Sequence, residues 1–334
     1  MNRFLVRAIL LLNLVISIHA YAQSVDSLHS KATAFIMKGD ADNALMFLRR
    51  AEQQEPANLE TTKLIAFTYY NQRDFASALP YARRLAVAPK ADFQQVQMAG
   101  LVFKALAMYK EAKKLYDDAM SRFAGNGTLL SEYGELLYLM KDDDAAIVLW
   151  EKGIAAEPNI ASNYYHAANY YSVRGNFIWS ILYAEIFANL ESFSARTTDM
   201  KALVLKDYKR LFSRPLIDPK TKYSPFTLAV LQTLNSFSSL VADGVTPSTL
   251  NQLRKSFYHK WEMQHANTYP FRLFDRYKEY IIDNSFEAYN YWLLTEDAQV
   301  LRQWALNNKD AFNAFLSLQN GRVFKVPKGQ YYAH

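Results

Sequence analysis

The sequence predicts an all-α protein: a run of repeated helix pairs, followed by an irregular helical region rich in aromatic residues. Three observations carry this. Glycine and proline number 10 each among 334 residues, roughly 6% together and about half the usual share, too few turns for an all-β fold or a low-complexity chain. Alanine recurs at a fixed spacing of 34 residues, at Ala44, Ala78, Ala112 and Ala146. The chain is 51% apolar, with 21 Phe, 23 Tyr and 5 Trp, which is enough to fill one large core or two smaller ones.

The first element is a leader. Arg3 and Arg7 precede an apolar run from Ala8 to Ile18 broken by Asn13, and Ala20-Tyr21-Ala22 has the small-x-small pattern of a cleavage site. A bacterial secretory signal peptide over residues 1–22 is expected, with the mature chain beginning at Gln23 in the periplasm or the secreted space. The run of about 11 apolar residues falls short of the ~20 that span hydrocarbon, so no transmembrane helix is expected once the leader is removed. Absence of cysteine excludes lipid attachment, disulfides, cysteine-ligated zinc, iron–sulfur clusters and thiol nucleophiles. Cleavage takes two arginines from the formal +6, leaving +4, too small an excess to argue for a nucleic-acid partner.

The repeat occupies about residues 25–194. Ser180 continues the series of aligned alanines; twelve positions before these five stand Ala32, Ala66, Gly100, Gly134 and Ala168, and three further on Phe35, Tyr69, Phe103, Leu137 and Tyr171. Four positions after them lie Leu48, Ala82, Tyr116, Trp150 and Ala184. Thirty-four residues accommodate two helices and two short turns. Small residues at the crossing let the helices approach, and large ones a turn away fill the space that remains. Pro56, Pro89 and Pro158 stop second helices, and Gly39 and Gly175 fall in the turns between helices.

On these residues the chain resembles the tetratricopeptide repeat family, with five units starting near Val25, Leu59, Phe93, Gly127 and Ala161. The resemblance covers about 25–194, within a repeat domain of 23–194, and implies an α-solenoid, a right-handed superhelix of helix pairs whose inner surface is lined by the first helix of each unit. It implies a protein or peptide partner, no cofactor, no metal and no catalysis. Inner-surface positions give a candidate groove: Lys63, Phe67, Tyr70 and Asn71 in the second unit; Gln97, Leu101 and Lys104 in the third; Glu135 and Tyr138 in the fourth; Tyr165 and Asn169 in the fifth. Relatives that hold a free C-terminal carboxylate use Lys and Asn here. Lys63 matches, while Phe67 stands where the Asn would be. Because each repeat contacts its neighbours alone, a segment of about 23–213 is expected to fold by itself.

Beyond Phe193 the phase fails. Residues 195–222 read as a capping helix and linker, 223–320 as a helical C-terminal region and 321–334 as an irregular tail. Ser224-Pro225 and Thr246-Pro247 are N-cap and first-turn proline starts, the second helix running to Pro270. Shorter helices are expected at 271–283, 285–294, 296–307 and 309–318. Sixteen aromatics fall between Phe257 and Phe324, a stretch that resembles no family.

Motifs of catalysis are missing: no GxSxG, GxGxxG, Walker loop or HExxH occurs. His259, Glu262 and His265 share a predicted helix, but residues i and i+6 point about 240° apart and cannot both hold one metal. Asp142-Asp143-Asp144 reads as a helix start. Three readings of different class follow: an exported interaction or scaffold protein using the groove; a glycan-binding or envelope-associated module stacking sugars on Tyr291, Trp292 or Trp304; and an enzyme with its site in 195–334. The groove has two candidate occupants, an external partner and the chain's own C-terminal region.

Overall fold

The structure, a computed structural model, describes residues 23–333; the expected signal peptide lies outside the described residues. Among the described residues there are helices and no strand, and no helix is long and apolar enough to cross a membrane. Ten helices form consecutive pairs: α1 (Val25–Met37) with α2 (Ala41–Gln54), α3 (Leu59–Asn71) with α4 (Phe75–Ala86), α5 (Phe93–Ala105) with α6 (Tyr109–Arg122), α7 (Gly127–Leu139) with α8 (Asp143–Ala156), and α9 (Ala161–Arg174) with α10 (Phe177–Leu190). The first member of each pair begins where the 34-residue phase places it, and α11 (Ala195–Phe212) begins one period further on. The fold class is an α-solenoid of tetratricopeptide type followed by a helical region of different design.

The repetition extends to single hydrogen bonds. Each turn within a pair contains one left-handed residue, at Gly39, Arg73, Ala107, Lys141 and Gly175, again 34 apart, with φ between 54° and 78°. The residue after it donates its N–H back into the first helix: Asp40 to Phe35 O, Asp74 to Tyr69 O, Met108 to Phe103 O, Asp142 to Leu137 O and Asn176 to Tyr171 O, at 2.8–3.0 Å. This is the six-to-one closure that ends a helix on a left-handed residue. In four of the five turns the same residue, Asp40, Asp74, Asp142 or Asn176, then caps the second helix with its side chain. Three of the left-handed residues carry side chains, which cost roughly 1 kcal/mol each. The closure therefore tolerates a side chain at three of the five turns and carries glycine at the other two.

Crossing points use size complementarity. Where the first helix carries Ala66 or Ala168 the second carries Ala82 or Ala184; where it carries Gly100 or Gly134 the second carries Tyr116 or Trp150, all buried. A Cβ built on Gly134 would collide with the Trp150 indole, and one on Gly100 with the Tyr116 ring. These glycines are present because a large ring lies against the helix backbone.

By packing, the described chain forms two compact units, one ending at Phe123 and one beginning at Ala124. The first contains three helix pairs. The second contains α7–α10 together with α11 and the C-terminal helices α12 (Pro225–Asn235), α13 (Pro247–Gln264), α14 (Arg272–Ile282), α15 (Phe286–Leu294), α16 (Ala298–Asn307) and α17 (Lys309–Gly321). Packing and repeat phase therefore divide the chain at different places. One expected boundary changes: α13 stops at Gln264, six residues before Pro270, where His265 and Ala266 both donate to Trp261 O.

The reason α9–α10 and the C-terminal helices share a unit lies in α10. Every residue from Phe177 to Asn189 is buried. A helix apolar on all sides needs cover on all sides. One flank packs on α9, and others on α11 and α14. Its single carboxylate, Glu185, is fully buried and pairs with the equally buried Arg254 of α13. Tyr277 of α14 donates to Glu185 Oε2 (2.8 Å) and Tyr289 of α15 to Oε1 (2.7 Å). Asn189 donates to the Tyr289 hydroxyl (2.7 Å), and Arg254 donates to Tyr277 Oη (2.7 Å) and to Asn290. Four helices thus meet on one ion pair whose carboxylate oxygens and terminal guanidinium nitrogens all have partners, while the buried Arg254 Nε has none.

The ion pair weighs against the expectation that 23–213 folds alone, since such a segment would keep Glu185 in an apolar helix with its cation removed. Breaking a buried pair by deleting one partner typically costs ~3–5 kcal/mol, whereas replacing both with apolar groups is far milder. Arg254→Met is therefore expected to destabilise the second unit by about 3–5 kcal/mol, and Glu185→Leu with Arg254→Met to recover much of that loss. Urea unfolding of the three proteins measures both values; equal losses in single and double variants would show that the pair is not coupled.

Candidate functional site

The first helix of each pair presents its packing stripe to the second helix, and the residues rotated off that stripe form the candidate surface. In the first unit α3 places Phe67 at 39% exposure, with Asn71 exposed and Tyr70 half-buried against Phe75, ring centroids 5.3 Å apart. Lys63 does not stand open: its Nζ pairs with Glu60 (2.8 Å) and donates to Gln94 Oε1 (3.1 Å) on α5. On α5, Gln97, Leu101 and Lys104 are each half-buried, with Gln97 and Lys104 in interactions of their own.

In the second unit the contrast between positions is sharper. Tyr138 is 48% exposed and Leu139 40%, at the end of α7, beside the half-buried Glu135. Tyr165 of α9 is half-buried, its ring against Phe187 (5.4 Å) and beneath the Arg196 guanidinium (5.4 Å). Asn169 donates to Tyr165 O at 2.8 Å. The expected groove residues therefore fall in two groups. Phe67, Asn71 and Tyr138 keep open surface, whereas Lys63, Tyr70, Tyr165 and Asn169 spend part of theirs on neighbouring side chains or backbone.

Where the C-terminal helices meet the repeats, the contacts run through α10 and α11, not through the open faces of Tyr138 and Leu139. The irregular tail reaches α8 and the turn before α9. Asn159, in the turn before α9, exchanges two hydrogen bonds with Val326 (3.1 and 2.9 Å), and Tyr332 stacks on Phe226 at 4.7 Å. Tyr331 hydrogen-bonds Glu151 of α8, a buried carboxylate that also accepts from Tyr171 (2.6 Å) and Tyr183 (2.9 Å).

Other sequence candidates have structural duties. Asp142 caps α8, while Asp143 and Asp144 pair with Arg174. Glu262 pairs with Lys278 at 2.5 Å, and the His265 ring rests on Trp261 at 5.0 Å. Trp292 is buried, and the half-buried Tyr291 and Trp304 stack on each other at 4.4 Å, so each of these two spends one ring face on the other. Sequence reading missed the Glu185–Arg254 centre. Its signal was one carboxylate in the apolar string Phe-Ile-Trp-Ser-Ile-Leu-Tyr-Ala-Glu-Ile-Phe, which demands a buried cation elsewhere.

No protein-family model and no curated protein matches the chain. Solved structures that it resembles include Pseudomonas aeruginosa PilF, 17% identical, over 57% of this chain and 89% of that one, TM-score 0.49. A thermophilic tetratricopeptide protein of Thermus thermophilus is 15% identical over 55% of this chain and 99% of that one, TM-score 0.47. YrrB, described as a tetratricopeptide protein with an unusual peptide-binding site, is 14% identical over 56% and 97%, TM-score 0.42.

The phenols around Glu151 set a limit at high pH. Tyr171, Tyr183 and Tyr331 all ionise above the ordinary tyrosine range, because burial disfavours the phenolate and the Glu151 charge repels it. An unfolded tyrosine ionises near pH ~10, so the stability from these groups is whole below that pH and lost as pH rises past it. Tyrosinate absorbance is expected to rise in two stages, the second coinciding with loss of helical circular dichroism. A complete tyrosinate signal from a protein still fully helical would contradict the burial.

Proposed function

We propose that the chain is an exported, non-enzymatic interaction or scaffold protein that holds a peptide or partner segment on the first-helix faces of its repeats. The observation that carries the reading is the set of aromatic and apolar side chains kept off the packing stripe. Phe67, Tyr138 and Leu139 stay 39–48% exposed, while Ala66, Leu136 and Ala168 on the same class of helix are fully buried. Aromatic anchors flanked by polar groups such as Asn71 and Glu135 are the composition of a protein-binding surface. Export rests on the leader pattern of residues 1–22, and the work of the protein then lies in the periplasm or secreted space, with peripheral association to the envelope open to it. The +4 side-chain charge of the mature chain gives no reason to add a nucleic-acid partner.

The test uses the full mature chain immobilised against envelope extract, with Phe67→Ala, Tyr138→Ala and the exposed control Arg83→Ala. Thermal melts of the two aromatic variants are expected to stay within ~1 kcal/mol of the parent, since neither change opens a core cavity. Affinity for the recovered partner is expected to fall by about thirtyfold, the ~2 kcal/mol of a truncated anchor, with no change for Arg83→Ala. Equal recovery by all four proteins would place the partner surface elsewhere. Native protein from the envelope fraction is expected to begin at Gln23.

A further inference from the structure

Within the second unit, away from the groove positions, a cleft of about 630 Å³ opens between the α9–α10 turn, the end of α11 and the connection at 213–224. That volume is in the range of small-molecule sites, roughly 300–1,000 Å³. Its floor is apolar: Ile178, Trp179, Leu211 and Leu231 are each at most 5% exposed, and the Trp179 indole N–H is already satisfied by Thr227 Oγ1 at 3.1 Å. Its rim is basic. Arg214 donates to Gly175 O (2.8 Å) and lies over the Phe177 ring (4.6 Å), and the exposed Lys222 lines the same cleft from the 213–224 connection.

The charges at this rim do not cancel. Arg174 is committed to Asp144 (3.1 Å) and Asp143 (3.9 Å). The rim carboxylate, Asp218, is turned into its own loop, accepting from Lys220 N–H (2.9 Å) and Thr221 Oγ1 (3.1 Å). No ion pair with Arg214 or Lys222 is seen among the described residues. The wall is also stiff: Pro215 and Pro219 restrict the backbone, and the Tyr223 hydroxyl receives Asp218 N–H at 3.1 Å. A preformed cleft with a part-apolar lining, and with two cations free of ion pairs against the one carboxylate of Asp218, suits a ligand with an apolar body and one anionic end.

The geometry points to this cleft as a binding site for an amphipathic carboxylate, its chain against the half-buried Leu216 and Ile217 that line the cleft and its carboxylate at Arg214 and Lys222. This inference stands independently of the groove reading. Calorimetric titration of the full mature chain uses four probes: decanoate, decanol, and a short peptide ending in leucine with its carboxylate either free or amidated. Saturable binding of decanoate or of the free-carboxylate peptide is expected, with decanol and the amide at least tenfold weaker. Which of the two acids binds tells whether the source is a free acid or a chain terminus. Arg214→Gln and Lys222→Gln are each expected to weaken binding about tenfold, with Lys255→Gln, elsewhere in the same unit, unchanged. Failure of both acids to bind, equal binding of decanol, or full affinity in both glutamine variants would overturn the assignment.

Discussion

The second unit depends on the burial of one ion pair. Glu185 lies on a helix that belongs by sequence phase to the repeats, and Arg254 on a helix that does not. Desolvating both charges costs several kcal/mol, which their attraction offsets only if the remaining donors and acceptors are also satisfied. Tyr277, Tyr289, Asn189 and Asn290 provide that satisfaction from three helices. The network pairs both Glu185 oxygens and both terminal nitrogens of Arg254, leaving Arg254 Nε and Asn189 Oδ1 without partners. It therefore sets the register of α13, α14 and α15 against α10, which apolar contact alone would leave less defined.

That constraint explains how a repeat array ends. A solenoid needs a cap with a polar outer face or a partner for its last apolar surface. Here α11 retains the phase of a sixth first-helix but has no second helix after it, because Pro215 and Pro219 interrupt. The aromatic C-terminal helices cover α10 instead, and the tail returns to Asn159 and Glu151 to close the edge. The first-helix face at Tyr138 and Leu139 is left open by this arrangement, which links the packing of the C-terminal region to the surface offered to a partner.

Much of this was legible in the sequence, for a physical reason. Repeats make the same contacts at each period, so Val25, Leu59, Phe93, Gly127 and Ala161 could be read as helix starts from phase alone, and the structure begins helices at each. The matching of Gly100 to Tyr116 and Gly134 to Trp150 is also visible in the aligned columns once size is compared across them. What periodicity could not show was contact outside the repeat. Arg254 lies 69 residues from Glu185, with nothing in the local pattern of α13 to mark it as buried. The exposure of groove positions was legible at Phe67 and Tyr138 but not at Tyr165, because the covering Arg196 comes from α11.

The central claim is that the last repeat helix and the C-terminal helices form one cooperative body through Glu185 and Arg254. Native-state hydrogen exchange of the full chain tests it most directly, since amides that open together share one free energy of protection. The account predicts that the most protected amides of α10, α13 and α15 exchange with a common opening free energy, and that Arg254→Met lowers all three together. Protection of α10 that survives while α13 and α15 open separately, before or after the substitution, would contradict it.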